Sequence, residues 1–311
     1  MISVIFPVFN EEENLEALHK RLESVVLKIS NQRFEFIFVD DCSTDKTPEI
    51  LKTLNRKDPR VKTIRFARNC GSHAALRAGL NYCQGECAII LAADLQDPPE
   101  LIPRLMEEWR NGYKLVWGVR AKREGEKPST KFFSRMYYAI MNWLTTVNMP
   151  SSGADVFLAD RAVINAFKQI TEKHTSVFMA LAWLGFSQTA IGYVKQARHR
   201  GIPKWTLGKK FKLTIDSLLS FSDVPIRYMS VLGFLVALAG FTYAIYIVWQ
   251  YFCHSNPVEG WKWLMVSIFV IGGIQMMMLG VLGEYLWRTF DESRKRPQFI
   301  VDYIIGGEEK N

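Results

Sequence analysis

Three polar segments of the chain carry the residue types most suited to chemistry. They are Pro7-Val-Phe-Asn-Glu11, Asp40-Asp-Cys-Ser-Thr-Asp45 and Asp94-Leu-Gln-Asp97. Each one follows a short apolar stretch that is typical of a buried strand. In an open parallel sheet, ligands bind at the carboxyl ends of the strands. We therefore expect the three segments to meet at one edge of a sheet and to form a binding site there.

The spacing within the third segment predicts a metal site. Asp94 and Gln96 are two residues apart, so in a turn the side-chain oxygens of both can reach the same cation. Mg²⁺ and Mn²⁺ prefer oxygen ligands and complete their coordination with phosphate and water. We predict Mg²⁺ or Mn²⁺ as the cofactor, with Asp94 and Gln96 as its ligands. The alternative is a turn whose aspartate accepts hydrogen bonds from backbone amides.

The elements that must position these segments alternate between strand and helix. Apolar stretches predict strands at 3–6, 34–39, 61–66, 88–92 and 115–119, with helices between them. Pro7 is expected to end the first strand, because proline cannot donate to the ladder. The alternation predicts an α/β fold with a mainly parallel sheet and helices on both faces. Neither a GxGxxG nor a P-loop motif is present, so the pattern does not indicate either of those nucleotide sites.

The last third of the chain has the composition of a membrane segment. The stretches Tyr228–Phe252 and Trp263–Gly283 contain no charged residue, and each is long enough to cross the hydrocarbon core as a helix. Basic residues precede the first stretch and follow the second, which places both ends in the cytoplasm. We predict an integral protein of the inner membrane, with the catalytic domain and both termini cytoplasmic.

These patterns divide the chain into four parts. We expect a cytoplasmic catalytic domain at 1–205, an amphipathic juxtamembrane helix at 206–226, a two-helix transmembrane hairpin at 227–288 and a cytoplasmic tail at 289–311.

The net charge of +8 points to particular partners. Basic residues gather between Lys195 and Lys212, just before the first apolar stretch, and this position favours membrane lipid and a phosphate ligand over nucleic acid. Small residues in the second stretch, such as Gly272 and Gly273, permit close helix packing. We therefore expect a homo-oligomer.

Four motifs, in their order along the chain, resemble those of family 2 glycosyltransferases, which have the GT-A fold. They are Val4-Ile-Phe-Pro-Val-Phe-Asn-Glu11, Val39-Asp-Asp-Cys-Ser-Thr-Asp45, Arg68-Asn-Cys-Gly71 and Ala93-Asp-Leu-Gln-Asp-Pro-Pro-Glu100. The last motif is similar to the dolichol-phosphate mannose synthase branch. The two C-terminal spans are similar to those of bacterial polyprenyl-phosphate (bactoprenol) glucosyltransferases. One departure is Ala92, which stands where the family often has the first aspartate of a DxD motif.

The resemblance implies roles for the residues that match. Pro7, Phe9 and Glu11 match positions that hold the nucleoside, and Asp40 and Asp41 match the acidic pair near the base and ribose. Because Ala92 stands where the family often has that aspartate, metal binding falls to Asp94 and Gln96, and Asp94 is also expected to contact the nucleotide sugar.

Basic residues complete the implied site. Arg200 matches a residue that closes over the donor diphosphate, and Lys204 lies in the same segment. Arg120, Arg123 and Lys131 are candidates to bind the lipid phosphate, the alternative being a solvated charged loop.

One further carboxylate is a candidate for the acceptor side. Asp155, in Gly153-Ala-Asp155, would orient the sugar or act as a weak base, and the alternative is a hydrogen-bonded strand residue. The predicted catalytic residues are thus Asp94, Asp155 and Arg200.

The reaction implied by the resemblance is inverting transfer of a hexose to polyprenyl phosphate, such as undecaprenyl phosphate, at the cytoplasmic membrane face. The product would be a lipid-linked sugar for glycan modification. Glucose from UDP-glucose is the best-matched donor, while mannose from GDP-mannose, N-acetylglucosamine and aminoarabinose stay open. Two other classes also stay open. A processive polysaccharide synthase would need more spans and a Gln-x-x-Arg-Trp motif, and an inactive membrane scaffold would only bind the nucleotide sugar.

Overall fold

The computed structural model describes five stretches of the chain. They are residues 1–123, 154–173, 175–196, 224–253 and 260–306. The chain forms two compact units, which are Met1–Ser217 with Pro297–Asn311 and Leu218–Arg296. The first unit contains the sheet and the second contains two long helices. Of the predicted juxtamembrane helix, residues 206–223 lie outside the described stretches.

Eight strands of the first unit form one mixed sheet. The strands are β1 Ile2–Val8, β2 Phe34–Asp40, β3 Val61–Phe66, β4 Cys87–Ile90, β5 Leu115–Arg123, β6 Ala154–Asp160, β7 Gln188–Lys195 and β8 Val301–Ile305. Their order across the sheet is β7-β5-β6-β4-β1-β2-β3-β8. β6 and β8 run antiparallel to their neighbours, and the other pairs are parallel. The predicted α/β architecture with a mainly parallel sheet is confirmed.

Helices cover both faces of this sheet. They are α1 Leu15–Val26, α2 Thr47–Lys57, α3 Ser72–Tyr82, α4 Ile102–Arg110, α5 Arg161–Phe167 and α6 Val177–Trp183, with a 3₁₀ turn at Pro99–Leu101 before α4. Alternate residues of a strand point to opposite faces. On one face, Phe6 stacks on Phe38 at 4.9 Å between ring centroids, within the core that α1 contributes to. On the other face, Ile5 packs against Gly79 of α3.

The first strand runs further than its proline suggested. β1 continues through Pro7 to Val8, opposite Val39 and Asp40 of β2. Its pairing with β4 stops at Ile5, so Pro7 lies where only the β2 side is in register. The missing donor of Pro7 therefore does not interrupt the sheet.

The C-terminal segment, which the sequence indicated only as a tail, contributes the edge strand β8. β8 pairs with β3 from Thr63 to Phe66. Just before it, Phe299 stacks on Phe66 with ring centroids 4.9 Å apart. The backbone N–H of Ala67 donates to the carbonyl of Ile300 at 2.9 Å. The end of the chain therefore belongs to the same compact unit as the sheet.

The second unit consists of the helices α7 Val224–Cys253 and α8 Trp261–Ser293. The two helices pack against each other where Gly233 faces the side chain of Met278. Among the residues that are described, one helical segment, Val270–Ser293, is long and apolar enough to cross a membrane by length and composition. The two-span transmembrane hairpin therefore stays a prediction.

A buried histidine between α3 and α6 makes the stability of the first unit depend on pH. The backbone N–H of Val177 donates to His73 Nδ1 at 3.3 Å, so the ring must be neutral. Burial, together with the charge of Arg77, lowers the pKa of His73 to about 4. Between about pH 6.5 and pH 4, His73 therefore binds a proton in the unfolded chain but not in the folded protein. The free energy of unfolding consequently falls as the pH drops through this range.

We expect this protonation to cost about 3 kcal/mol between pH 7 and pH 4. His73→Asn keeps an oxygen that can accept the N–H of Val177 but does not titrate. The variant should therefore lose less stability on acidification, as measured by unfolding midpoints at several pH values. Equal slopes for the variant and the parent protein would contradict the assignment.

Candidate functional site

The first two predicted segments lie side by side at the carboxyl edge of the sheet. We call residues 9–12 and 42–47 the paired loops. The N–H of Asn10 donates to Ser43 Oγ at 2.9 Å, and the N–H of Thr44 donates to Asn10 Oδ1 at 2.8 Å. The N–H of Glu11 likewise donates to Thr47 Oγ1 at 3.0 Å. These reciprocal bonds join the end of β1 to the end of β2. We call the surface that these strand ends and the paired loops form the platform.

α1 begins only after the first of the paired loops, at Leu15. Asn10 has a φ of 50° and its side chain is engaged by Thr44. α1 accordingly starts at Leu15, after a turn in which Leu15 N–H donates to the Glu11 carbonyl. Contacts with a segment 34 residues further along the chain thus hold Asn10 outside the helix.

Asp41 holds the loop that enters α3. One of its carboxylate oxygens accepts the N–H of Cys70 at 2.6 Å and the other accepts the N–H of Gly71 at 2.8 Å. Gly71 has a φ of 90°, a conformation that residues with a side chain rarely adopt. The side chain of Asn69 donates back to the Asp41 carbonyl at 3.2 Å. This carboxylate therefore shapes the backbone beside the paired loops.

Asp40 is buried completely and anchors the second loop. Its carboxylate accepts the N–H of Ser43 at 2.9 Å and forms an ion pair with Arg65 of β3. Arg65 also donates to the Ser43 carbonyl at 3.1 Å. Burial opposes the positive charge of Arg65, but Asp40 outweighs this effect and raises the pKa of the guanidinium.

The remaining predicted nucleoside residues are partly exposed on this platform. Pro7, Phe9 and Glu11 are each partly exposed, whereas Asp40 and Asp41 are buried. Glu11 accepts a hydrogen bond from Asn14 Nδ2 at 2.6 Å. The structure thus brings all five predicted residues together, and their contact with a nucleoside stays a prediction.

The third segment forms a tight turn after β4. Leu95 has a φ of 60°, and the N–H of Gln96 donates to Asp94 Oδ1 at 3.1 Å. The turn therefore contains the backbone bond that the alternative interpretation required. Within the described stretches there is no group of three or more His, Cys, Asp or Glu side chains placed to hold a metal ion. That Asp94 and Gln96 hold a cation, with further ligands from a substrate diphosphate and water, stays a prediction.

Five side chains beside this turn form what we call the charged cluster. Its members are Asp97, Arg120, Asp155, Tyr193 and Lys195. Arg120 donates from two nitrogens to the carboxylate of Asp155, and Lys195 Nζ lies 2.7 Å from Asp155 Oδ2 and 3.5 Å from Asp97 Oδ1. The hydroxyl of Tyr193 donates to Asp97 Oδ1 at 2.5 Å.

The direction of β6 brings Asp155 into this cluster. Because β6 is antiparallel to β4 and β5, its first residues lie at the carboxyl edge of the parallel strands. Asp160, at its last residue, lies at the opposite edge and pairs there with Lys114 at 3.2 Å. Asp155 is therefore a strand residue in an ion pair, and it also faces the site.

Burial and charge act in opposite directions within the cluster. Burial raises the pKa of Asp97, and this effect prevails over the nearby Lys195. For Asp155 burial acts in the same direction, but the hydrogen bond from Arg120 and the charge of Lys195 outweigh it and lower the pKa. Asp155 is thus held as a carboxylate and is a weak base.

Two members of the cluster were not identified from the sequence. Tyr193 and Lys195 are two residues apart on β7, a spacing that puts both on one face of the strand. This two-residue spacing is the feature of the sequence that could have indicated that both side chains belong to the site. Of the predicted basic residues, Arg200, Lys204 and Lys131 lie outside the described stretches, and Arg123 is the last residue of β5.

Comparison with known proteins gives consistent matches. The family model described as Glycosyl transferase family 2 matches residues 3–170. The glycosyltransferase YkcC of Bacillus subtilis is 38% identical over 308 residues, covering 99% of this chain and 95% of the relative. The bactoprenol glucosyl transferase of Shigella phage SfV is 33% identical over 300 residues, covering 96% of this chain and 97% of that protein. Both relatives match nearly the full length of the chain, including its C-terminal third.

A solved structure also matches part of the chain. The mannosyltransferase PcManGT from Pyrobaculum calidifontis, in complex with GDP-Man and Mn²⁺, is 18% identical. The match covers 64% of this chain and 58% of that one, with a TM-score of 0.43.

Removing the Asp41 carboxylate should loosen the loop before α3. Asp41→Ala leaves the amides of Cys70 and Gly71 without their acceptors, which should cost about 3 kcal/mol because both bonds involve a charged group. We expect faster hydrogen exchange at these two amides and a lower unfolding midpoint. Asp302→Ala, at a side chain that is 54% exposed, serves as the control. Unchanged exchange at both amides in Asp41→Ala would disprove the role.

Proposed function

This chain belongs to glycosyl transferase family 2, and we propose that it transfers a hexose from a nucleotide sugar to a polyprenyl phosphate. The observation that carries the proposal is the position of two different sites on one sheet edge. The paired loops and the Asp94 turn suit a nucleoside diphosphate. The charged cluster, with Arg120 and Lys195, lies directly beside that turn and suits a second anionic substrate.

The names of the relatives support the choice of both proposed substrates, the sugar donor and the lipid acceptor. Glycosyl transfer by a family 2 enzyme follows from family membership itself. A polyprenyl phosphate acceptor is proposed because a relative that matches over nearly its full length is named bactoprenol glucosyl transferase. That name also favours glucose, and we propose UDP-glucose as the donor.

The proposed chemistry is single displacement at the anomeric carbon. A divalent cation held by Asp94 and Gln96, Mg²⁺ or Mn²⁺, would supply charge stabilisation to the leaving diphosphate. An acceptor phosphate oxygen is already anionic near neutral pH, so transfer needs no strong base. This agrees with Asp155, whose pKa is held low. We propose that Asp155 orients the acceptor side and that Arg120 binds the lipid phosphate.

Two more predicted groups of residues belong to the proposal. Arg200 would close over the donor diphosphate with Lys204, and Arg123 and Lys131 would add positive charge on the lipid side. The membrane location is supported by helices whose large apolar side chains are exposed, such as Phe234 at 67% and Met276 at 69%. Such helices are typical of a lipid environment. We propose that transfer takes place at the cytoplasmic face of the inner membrane.

The test is transfer of labelled sugar into an organic-extractable lipid. Purified protein is incubated with Mg²⁺ or Mn²⁺, undecaprenyl phosphate and a panel of UDP- and GDP-sugars. We expect one donor to label the lipid, a chelator to stop the reaction and added cation to restore it. Asp94→Asn preserves the shape of the turn but removes the charge, so transfer should fall by about 100-fold or more.

Glu86→Gln is the matched control for this variant. Glu86 borders the amino end of β4, whereas Asp94 follows its carboxyl end, and the Glu86 side chain is 74% exposed beside the N-terminal amine. We expect it to leave transfer within about two-fold, because exposed ion pairs contribute little. If folded parent protein labels no lipid with any donor, the proposal is wrong, and a binding protein without transfer becomes the better account.

A further inference from the structure

We propose that Lys195 is a positioning residue that keeps Asp155 in place when an acceptor phosphate recruits Arg120. This inference rests on the proposed function, because it concerns the same acceptor side. In the present arrangement Asp155 occupies the guanidinium of Arg120 with a two-nitrogen contact. That contact is the geometry with which arginine also binds a phosphate. Asp155 and an acceptor phosphate therefore compete for the guanidinium of Arg120.

Lys195 is the cation that decides this competition. Its Nζ lies 2.7 Å from Asp155 Oδ2, and its side chain is only 12% exposed. When a phosphate takes the donors of Arg120, Asp155 still has a charged partner at contact distance. Without Lys195, the same exchange would leave a carboxylate that is 24% exposed beside the second carboxylate, Asp97. Uncompensated charges in such surroundings are costly.

The position of Lys195 is itself secured from several directions. It is the last residue of β7, and the N–H of Gln196 donates to the carbonyl of Gln96 at 2.9 Å. Arg21 reaches the side chain of Gln196 at 3.0 Å. The ammonium also lies 3.5 Å from Asp97, a carboxylate that is 1% exposed and receives the hydroxyl of Tyr193. Lys195 therefore does not need a substrate in order to be held at this place.

The charges of the cluster add up to a neutral group. Arg120 and Lys195 contribute two positive charges, and Asp97 and Asp155 offset them when both are ionised. The other oxygen of Asp97, Oδ2, is buried and has no hydrogen-bond partner among the described residues. When a phosphate binds Arg120, Lys195 is consequently the one positive charge of the cluster left to compensate the two carboxylates of Asp97 and Asp155. Lys195 lies between both carboxylates and meets this requirement.

The first test measures binding and does not depend on turnover. Farnesyl phosphate is titrated into the full-length protein in detergent, with calorimetry as the readout. We expect Lys195→Met to weaken binding by about 10-fold or more, since residues that share one ion-pair network are strongly coupled. Lys195→Arg retains a positive charge beside Asp155 and should bind within about three-fold of the parent protein. If Lys195→Met does not fold, Lys195→Gln replaces it, because its amide still fills the position without the charge.

Lys114→Met is the matched control. It removes another lysine that pairs with an aspartate of β6, 3.2 Å from Asp160 Oδ2 at the opposite end of the strand, although the Lys114 side chain is more exposed, at 45%. We expect it to leave farnesyl phosphate binding unchanged. If Lys195→Met binds as well as Lys114→Met while the parent protein binds normally, the inference is overturned and the proposed function stands. If the parent protein does not bind farnesyl phosphate, the proposed acceptor class is wrong and the inference falls with it.

A double-mutant cycle separates positioning from direct contact with the phosphate. Lys195→Met is measured in the parent protein and again in Asp155→Asn, where the carboxylate that it holds has lost its charge. If Lys195 acts through Asp155, the loss of affinity should largely disappear in the Asp155→Asn background. An undiminished loss would mean that Lys195 binds the phosphate itself, which overturns the positioning role.

Turnover provides a second readout. In the transfer assay we expect Lys195→Met to raise the KM for the lipid phosphate and to leave the KM for the nucleotide sugar unchanged. A merely structural effect would lower the amount of active enzyme, and both KM values would stay the same. That second pattern, in variants with the same unfolding midpoint, would count against the inference.

Discussion

Carboxylates that leave water must be paired or hydrogen-bonded, and this constraint organises the carboxyl edge of the sheet. Four of its aspartates are almost fully buried: Asp40, Asp41, Asp94 and Asp97. Each is compensated in a different way. Arg65 pairs with Asp40, two backbone amides bind Asp41, the Gln96 amide binds Asp94, and Tyr193 with Lys195 faces Asp97. The loops at this edge take their shapes from these bonds, so the site is largely built before a ligand arrives.

The two sides of the edge differ in the kind of interaction that holds them. The paired loops are joined by hydrogen bonds between backbone amides and side chains. These bonds fix the positions of the loops and include no ion pair that an incoming anion could replace. The charged cluster is held by ion pairs, and an incoming anion can replace a carboxylate at a guanidinium. A preformed surface suits a donor that must be oriented for displacement. Exchangeable ion pairs suit an acceptor whose own charge must be accommodated on arrival.

The far edge of the sheet contributes to the same platform. β8 covers β3, whose Arg65 holds Asp40 and approaches Asp302 at 3.9 Å. The backbone bond between Ile300 and Ala67 fixes the start of the loop that ends in the Gly71 amide. The C-terminal strand therefore supports, through β3, the two carboxylates that shape the platform. β8 also pairs with the side of β3 that would otherwise be exposed, and it becomes the outer strand of the sheet.

The sequence by itself determined the alternation of strands and helices, and with it the convergence of three polar segments. Both follow from local hydrophobic period and from the rule for parallel strand ends. Only the tertiary structure decided that β6 runs backwards and brings Asp155 to the site, that Lys195 and Tyr193 join it from β7, and that residues 301–305 form the edge strand. These features depend on contacts between residues tens to hundreds of positions apart. The charge and hydrophobicity of a local segment do not encode strand direction or the partner of a buried charge. The packed sheet as a whole decides both.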